Sequence, residues 1–203
     1  MPMSCKLKAI VAVCDDWGIG RDGDMVVSNR ADMRHFVNCT RGHAVIMGRK
    51  TLESFPGGRP LKDRRNIVLT RDAEIAREGV EVAHSAEEAL ALVADETVAW
   101  VIGGGTVYRE FLPYCVEAEV THNHVTHDSD TFFPNLDDDP DWEVFERQGE
   151  CVIGEGQGDV GLRYEFTTYR RVGYKPEDEV DESFLKALHI VGDVVDVATS
   201  FLV

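Results

Sequence analysis

Residues 44–51, Ala-Val-Ile-Met-Gly-Arg-Lys-Thr, constrain the fold more than any other stretch of the chain. Four apolar residues run without a polar break and stop at Gly48. A run that short and that uniformly apolar suits a strand covered on both faces, as in parallel sheets. Residues 50–54 then carry a helical pattern. A strand that ends where a helix begins is the repeating unit of α/β folds. Its junction presents unpaired backbone N–H groups and the positive end of the helix dipole. Arg49 and Lys50 add two cations there, so the segment predicts an anion seat, most naturally for phosphate.

The same punctuation recurs twice. The strand expected over 97–102 ends at Gly103-Gly104-Gly105-Thr106, which opens a helix to residue 111. The strand expected over 65–69 ends at Thr70-Arg71-Asp72. Neither glycine junction is a Walker motif, because Gly42 and Gly48 are too far apart and Arg49 precedes Lys50. Neither is a Rossmann fingerprint, because Gly105-Thr106-Val107-Tyr108 lacks the spaced third glycine. Taken singly, each reads equally well as structural punctuation. Open α/β sheets bind ligands at the carboxyl ends of their strands, so three such ends together would suit a nucleotide with several phosphates.

Around these junctions the spacing predicts a first strand over 6–14, a loop over 15–30 and a helix over 32–41 with Met33, Phe36 and Val37 on one face. A strand follows over 79–83, then a helix over 85–93 opened by Ser85 and Glu88 as a capping box. A strand over 118–124 comes next, then an antiparallel pair, 142–147 and 162–169, joined across a Gly-rich segment. Strands alternate with helices up to Phe111, and strands dominate after it. This order predicts an α/β fold: one domain over 1–171 with a mainly parallel twisted sheet of about eight strands, an antiparallel C-terminal edge and flanking helices. Residues 172–181 read as an acidic linker. Residues 182–203 read as an apolar to amphipathic helical tail that needs a surface, either the domain itself or a second copy of the chain.

Acidic residues outnumber basic ones 37 to 21, for a net charge of −16. That field argues against nucleic-acid and anionic-membrane partners, and makes local basic clusters more telling. No apolar run approaches the roughly 18 residues of a membrane span. The run 9–14 ends in Asp15-Asp16 rather than in a cleavable signal pattern, so a cytoplasmic location is expected. Five widely spaced cysteines without a C-x-x-C pair predict reduced thiols rather than disulfides or zinc.

His122 and His124 would share one strand face, a possible ligand pair with His127 and Asp128 nearby. They close a strand beside a polar turn, where hydrogen-bonded histidines are commoner, and no metal is expected. His35 and His43 read as surface residues. Asp32 opens a helix and so reads as an N-cap. Its neighbours Met25, Val26, Val27, Met33 and Phe36 also allow a carboxyl in an apolar pocket, with a raised pKa suited to proton delivery near neutrality.

Eight ordered segments resemble the dihydrofolate reductase family: AIVAVCDDWGIGRDGDM, RADMRHF, AVIMGRKTLES, GRPL, RRNIVLTR, VIGGGTVYREFLP, VTHNHV and DTFFP. The resemblance covers about residues 5–171 and implies NADPH-dependent reduction of dihydrofolate, with antifolates as further ligands. It implies that Asp32 holds the pterin and supports protonation at N5, with Thr121 hydrogen-bonded to it. Ile10, Phe36 and Leu61 would form apolar walls, and Arg64 would grip the glutamate carboxylate, a task suited to guanidinium; Arg65 is adjacent and competes for that role. Ile102 and Tyr108 would lie beside the nicotinamide and substrate, and Ala12, Ile19 and Gly20 near its carboxamide.

Gly48, Arg49, Lys50 and Thr51 would meet the adenosine phosphates. Leu69, Thr70 and Arg71 would lie at the 2′-phosphate end, and Gly103, Gly104, Gly105, Thr106 and Val107 at the pyrophosphate turn, whose first Gly-Gly bond is cis in the family. Residues 15–29 would be the loop that closes over the cofactor. The chain departs from the family at Val26-Val27, where Pro-Trp is usual, and at Arg30, where a small or apolar residue is common. Val27 leaves open a related pyrimidine or pterin reductase, and a folate- or nucleotide-binding protein without turnover is a further alternative.

Overall fold

The computed structural model describes residues 5–72, 75 and 77–175. The strands are β1 (Lys6–Cys14), β2 (Gly18–Gly20), β3 (Ala44–Gly48), β4 (Arg65–Leu69), β5 (Val80–Ala83), β6 (Val98–Gly103), β7 (Glu117–Asn123), β8 (Thr131–Phe132), β9 (Trp142–Arg147), β10 (Cys151–Val152) and β11 (Arg163–Arg171). The helices are α1 (Arg30–Thr40), α2 (Arg49–Ser54), α3 (Ala86–Leu92) and α4 (Gly105–Phe111).

Among the described residues the main sheet runs β10-β11-β7-β1-β6-β3-β4-β5, with β9 also paired to β11. From β7 to β5 every neighbouring pair is parallel. β11 is antiparallel to β7, β9 and β10. This is the parallel sheet with an antiparallel C-terminal edge that the order of elements predicts. The sheet is covered on both faces, and the period-2 alternation of strands divides its core accordingly. Ala44 and Ile46 join one apolar cluster with Leu7, Val101 and Phe111. Val45 and Met47 join the other with Ile10, Trp100 and Ile102.

The structure corrects three local expectations. The N-cap of α1 is Asn29, whose side-chain oxygen accepts from the N–H groups of Ala31 (2.9 Å) and Asp32 (3.3 Å). Asp32 therefore sits in the first turn of the helix rather than capping it. Met33 is 48% exposed, so the inward stripe of α1 is Asp32, Phe36 and Thr40, offset from the expected 33/36/37 face. The expected loop over 15–30 also contains β2, which pairs with β8. Both are too short to carry a periodic signal. Ser85 caps α3 as expected, accepting from Glu88 N–H at 3.2 Å.

The chain divides after Val172. The tail expected over 182–203 lies outside the described residues. Among the described residues no helix is long and apolar enough to cross a membrane.

Candidate active site

β6, β3 and β4 are parallel neighbours, so their carboxyl ends lie side by side. Met47 pairs with Gly103 and Gly48 with Leu69. The sequence-predicted junctions thus form one continuous edge. Gly103 has φ +114°, a conformation that only glycine adopts without strain, and its peptide bond to Gly104 is cis. A Cβ at Gly103 would lie 3.1 Å from the Tyr108 ring, and one at Gly48 3.2 Å from Val107. A Cβ at Gly104 would lie 3.6 Å from Thr51 Oγ1, so the starts of α2 and α4 abut. The edge is a backbone-lined cradle with little side-chain bulk. Arg49 pairs with Asp72 at 3.2 Å and Glu53 at 3.5 Å. Lys50, Arg71 and Thr106 are exposed.

The second half of the site lies beside β1. Asp32 is 7% exposed. Burial raises its pKa above the usual carboxylate range, while a hydrogen bond from Thr121 and the charge of His35 act in the other direction. Thr121, on β7, is paired with Ala12 of β1. Ile10, one turn of the pleat earlier, accepts a hydrogen bond at its carbonyl from the buried Tyr108 hydroxyl at 2.7 Å. That bond ties the glycine edge to the Asp32 side. Ile10 and Ile102 belong to one apolar cluster, against which Phe36, Leu61 and Phe55 pack.

Arg64 borders this cluster at Phe36. Its Nε donates to Thr40 Oγ1 at 2.9 Å and its Nη1 to the Lys62 carbonyl at 2.7 Å, and its guanidinium lies 5.8 Å from the Phe36 ring centroid. Its Nη2 is buried with no hydrogen-bond partner. A buried guanidinium N–H without an acceptor is rare enough to need an explanation, and a ligand carboxylate supplies one. Arg65 is differently engaged: Glu81 takes Nε and Nη2 at 2.6 and 2.8 Å, and Glu96 takes Nη1 at 3.1 Å. The geometry separates the two arginines that the sequence left in competition.

The loop between β1 and α1 covers the remaining side. Ala12, Ile19, Met25, Val26, Val27 and Asn123 line a small cavity there. Asp130 accepts from Asp22 N–H at 2.8 Å, and Asp159 from Ser28 N–H at 2.9 Å, which fastens the loop at its middle and just before α1.

A sequence profile described as dihydrofolate reductase matches residues 6–171. The chain belongs to the dihydrofolate reductase family. It is 42% identical over 169 residues to a dihydrofolate reductase of Staphylococcus haemolyticus, covering 82% of this chain and 96% of that protein. It is 41% identical over 155 residues to one from Mycobacterium leprae, covering 75% and 90%. Its fold matches a solved dihydrofolate reductase from Enterococcus faecalis, complexed with NADP(H) and RAB-propyl, with a TM-score of 0.72 at 35% identity. That match covers 84% of this chain and 98% of the other.

Within this dihydrofolate reductase framework the structure brings together the residues singled out on both sides. It also adds some that the sequence reading missed. Phe55 packs into the Ile10–Ile102 cluster directly after α2, just before Pro56-Gly57. Asn123 donates to the Val13 carbonyl at 3.2 Å and faces the Asn29 amide at 3.5 Å. His35 is not a surface residue: its side chain is 23% exposed and lies 3.5 Å from Glu119. His122 bonds the Tyr169 hydroxyl at 3.1 Å, and His124 lies 3.4 Å from Asp15. The five cysteines are free, three of them buried.

Proposed function

We propose that this protein reduces dihydrofolate to tetrahydrofolate with NADPH, using the residues that follow. The observation that carries the assignment of roles is the buried Asp32 carboxyl with Thr121 acting on it, together with the unpartnered Nη2 of Arg64, whose guanidinium packs on Phe36 of the same helix. A pterin amino-pyrimidine ring meets a carboxylate, and a glutamyl tail meets a guanidinium. The glycine edge suits NADPH because three strand ends meet there at glycines too tightly packed against Val107 and Tyr108 to carry side chains, with Arg49, Lys50 and Arg71 beside them. When bound, NADPH supplies the hydride that pterin C6 receives.

The chain's own residues do the rest. Asp32, its proton affinity raised by burial, supports protonation at N5. Thr121 holds the orientation of that carboxyl. Ile10, Phe36 and Leu61 exclude water from the pterin. Arg49, Lys50 and Thr51 take the adenosine phosphates, and Arg71 takes the 2′-phosphate and so favours NADPH over NADH. Val27, in place of an aromatic wall, leaves the pterin side lined by a small β-branched residue. It is the one feature that favours a related heterocycle reductase, and Arg64 has no use in that reading.

Purified protein should oxidise NADPH only when dihydrofolate is added. No turnover with micromolar enzyme would overturn the assignment. A cytoplasmic location accords with the five free thiols. Self-association through residues 182–203 is proposed from their apolar pattern, and truncation after Arg171 should then change the oligomeric state.

A further inference from the structure

α1 presents a second ionisable group to the wall that holds Asp32. His35 lies three residues further along, the spacing that stacks side chains on one helix face. Its Nε2 is 3.5 Å from Oε2 of Glu119 on β7. Glu119 precedes Thr121 by two residues, so the pair share one face of that strand. Asp32–Thr121 and His35–Glu119 are therefore two successive rungs between the same helix and the same strand. Phe166 of β11, paired with Thr121, backs the imidazole at a ring separation of 4.5 Å. Thr168 of β11 donates to both carboxylate oxygens of Glu119, at 3.1 and 3.2 Å.

The groups acting on His35 are thus Asp32 and Cys39 from α1, Glu119 from β7 and Phe166 from β11, with Thr168 behind Glu119. The Glu119 side chain is 18% exposed. A neutral imidazole could donate Nε2–H to that anion but would leave its charge uncompensated with little water, whereas an imidazolium neutralises it. Contacts with the Cys39 sulfur and the Glu119 carboxylate push His35 up to about 10. Its charge opposes the effect of burial on Asp32.

We propose that His35, held as a cation by Glu119, is a positioning residue that limits the proton affinity of Asp32 and so sets the pH range of turnover. The proposal rests on the dihydrofolate reduction assigned above. Removing a cation beside Asp32 raises the proton affinity of that carboxyl and of a pterin lying against it, so the two effects have one sign.

The test is kcat/KM for dihydrofolate against pH in wild type and His35→Gln. The midpoint should move up by about half a unit or more in the variant. Superimposed profiles would overturn the proposal. In the full chain, the His35 imidazole followed by NMR should stay protonated between about pH 6 and pH 9, far above its ordinary titration. In Glu119→Gln it should titrate at least about one unit lower. A wild-type imidazole titrating at its ordinary value would equally overturn the idea, and this measurement decides the matter if His35→Gln does not fold. The Asp32 carboxyl carbon, titrated in the same samples, reads the coupling without turnover. An inactive wild type with a shifted carboxyl would fault the assigned reaction and not the coupling.

Discussion

The glycine edge draws its residues from three short contiguous segments, 48–51, 69–71 and 103–108, each at the end of a parallel strand. The proposed pterin side collects Ile10, Asp32, Phe36, Leu61, Arg64 and Thr121 from β1, α1, the loop before β4, and β7. The first half works through backbone and exposed cations, which tolerate substitution around them. The second would work through buried and half-buried side chains that depend on one another: Thr121 on Asp32, Thr40 and Phe36 under Arg64. Charge at the exposed edge is screened by water, while charge in the buried half is not. Substitutions should therefore hurt the pterin side far more than the cofactor edge.

The largest expected effect is at Asp32. Asp32→Asn should lower kcat/KM for dihydrofolate by about 100-fold or more, the range for a lost acid–base group. NADPH affinity, measured by fluorescence titration, should hold. A matching loss of NADPH binding would mean that the two halves are not separable as described. Next comes Arg64→Ala, which should raise KM for dihydrofolate by about 10- to 100-fold, the worth of a charge-assisted hydrogen bond. Arg65→Ala should leave KM alone and lower the melting temperature, because Arg65 joins β4 to Glu81 of β5. If Arg65→Ala raised KM as much as Arg64→Ala, the separation of the two arginines would fail.

A smaller change is expected at the cofactor edge. Arg71→Gln should reduce the preference for NADPH over NADH by about 2- to 5-fold, the scale of one solvent-screened ion pair. That loss should shrink at high salt, and a salt-independent change would argue against an exposed phosphate contact.

The smallest effect is on stability. Asp32 has a folded pKa raised by burial, so its contribution is fully present below the unfolded carboxylate value and is lost as pH rises through the folded one. Asp32→Asn removes that loss. The variant should melt about 2 °C or more above wild type near pH 8, with the gain vanishing near pH 4. The same substitution would then disable turnover and stabilise the fold, as expected of a carboxyl placed for chemistry. A variant less stable than wild type at both pH values would assign Asp32 a structural role.

Much of the glycine edge was legible from residue order. A glycine after an apolar run marks the end of a buried strand, and the cation or threonine beside it lies within a few residues. Chain proximity alone brings such groups together. The sheet class was legible for a related reason, since uniformly apolar runs separated by helical spacing have few other ways to be covered on both faces. α1 was the harder case. Its apolar residues suggested a face through Met33 and Val37, but the stripe that turns inward carries Asp32, His35 and Thr40 beside Phe36. Polar side chains on the buried face carry no hydrophobic signal, and their reason for being there lies on another element.

His35 shows the limit most clearly. Nothing within ten residues of it in the chain contains Glu119, Phe166 or Thr168, the groups that bury and hold it. Residue order alone could establish the parallel sheet, the glycine cradle and the family, because those follow from local periodicity and from motifs that are contiguous in the chain. Which arginine is left with an unpaired N–H, which residue caps α1, and whether a histidine on its surface or its inner face meets a carboxylate were decided when β7 and β11 closed against the helix. Burial and electrostatic pairing depend on distances between segments far apart in the chain, and those distances exist only in the folded state.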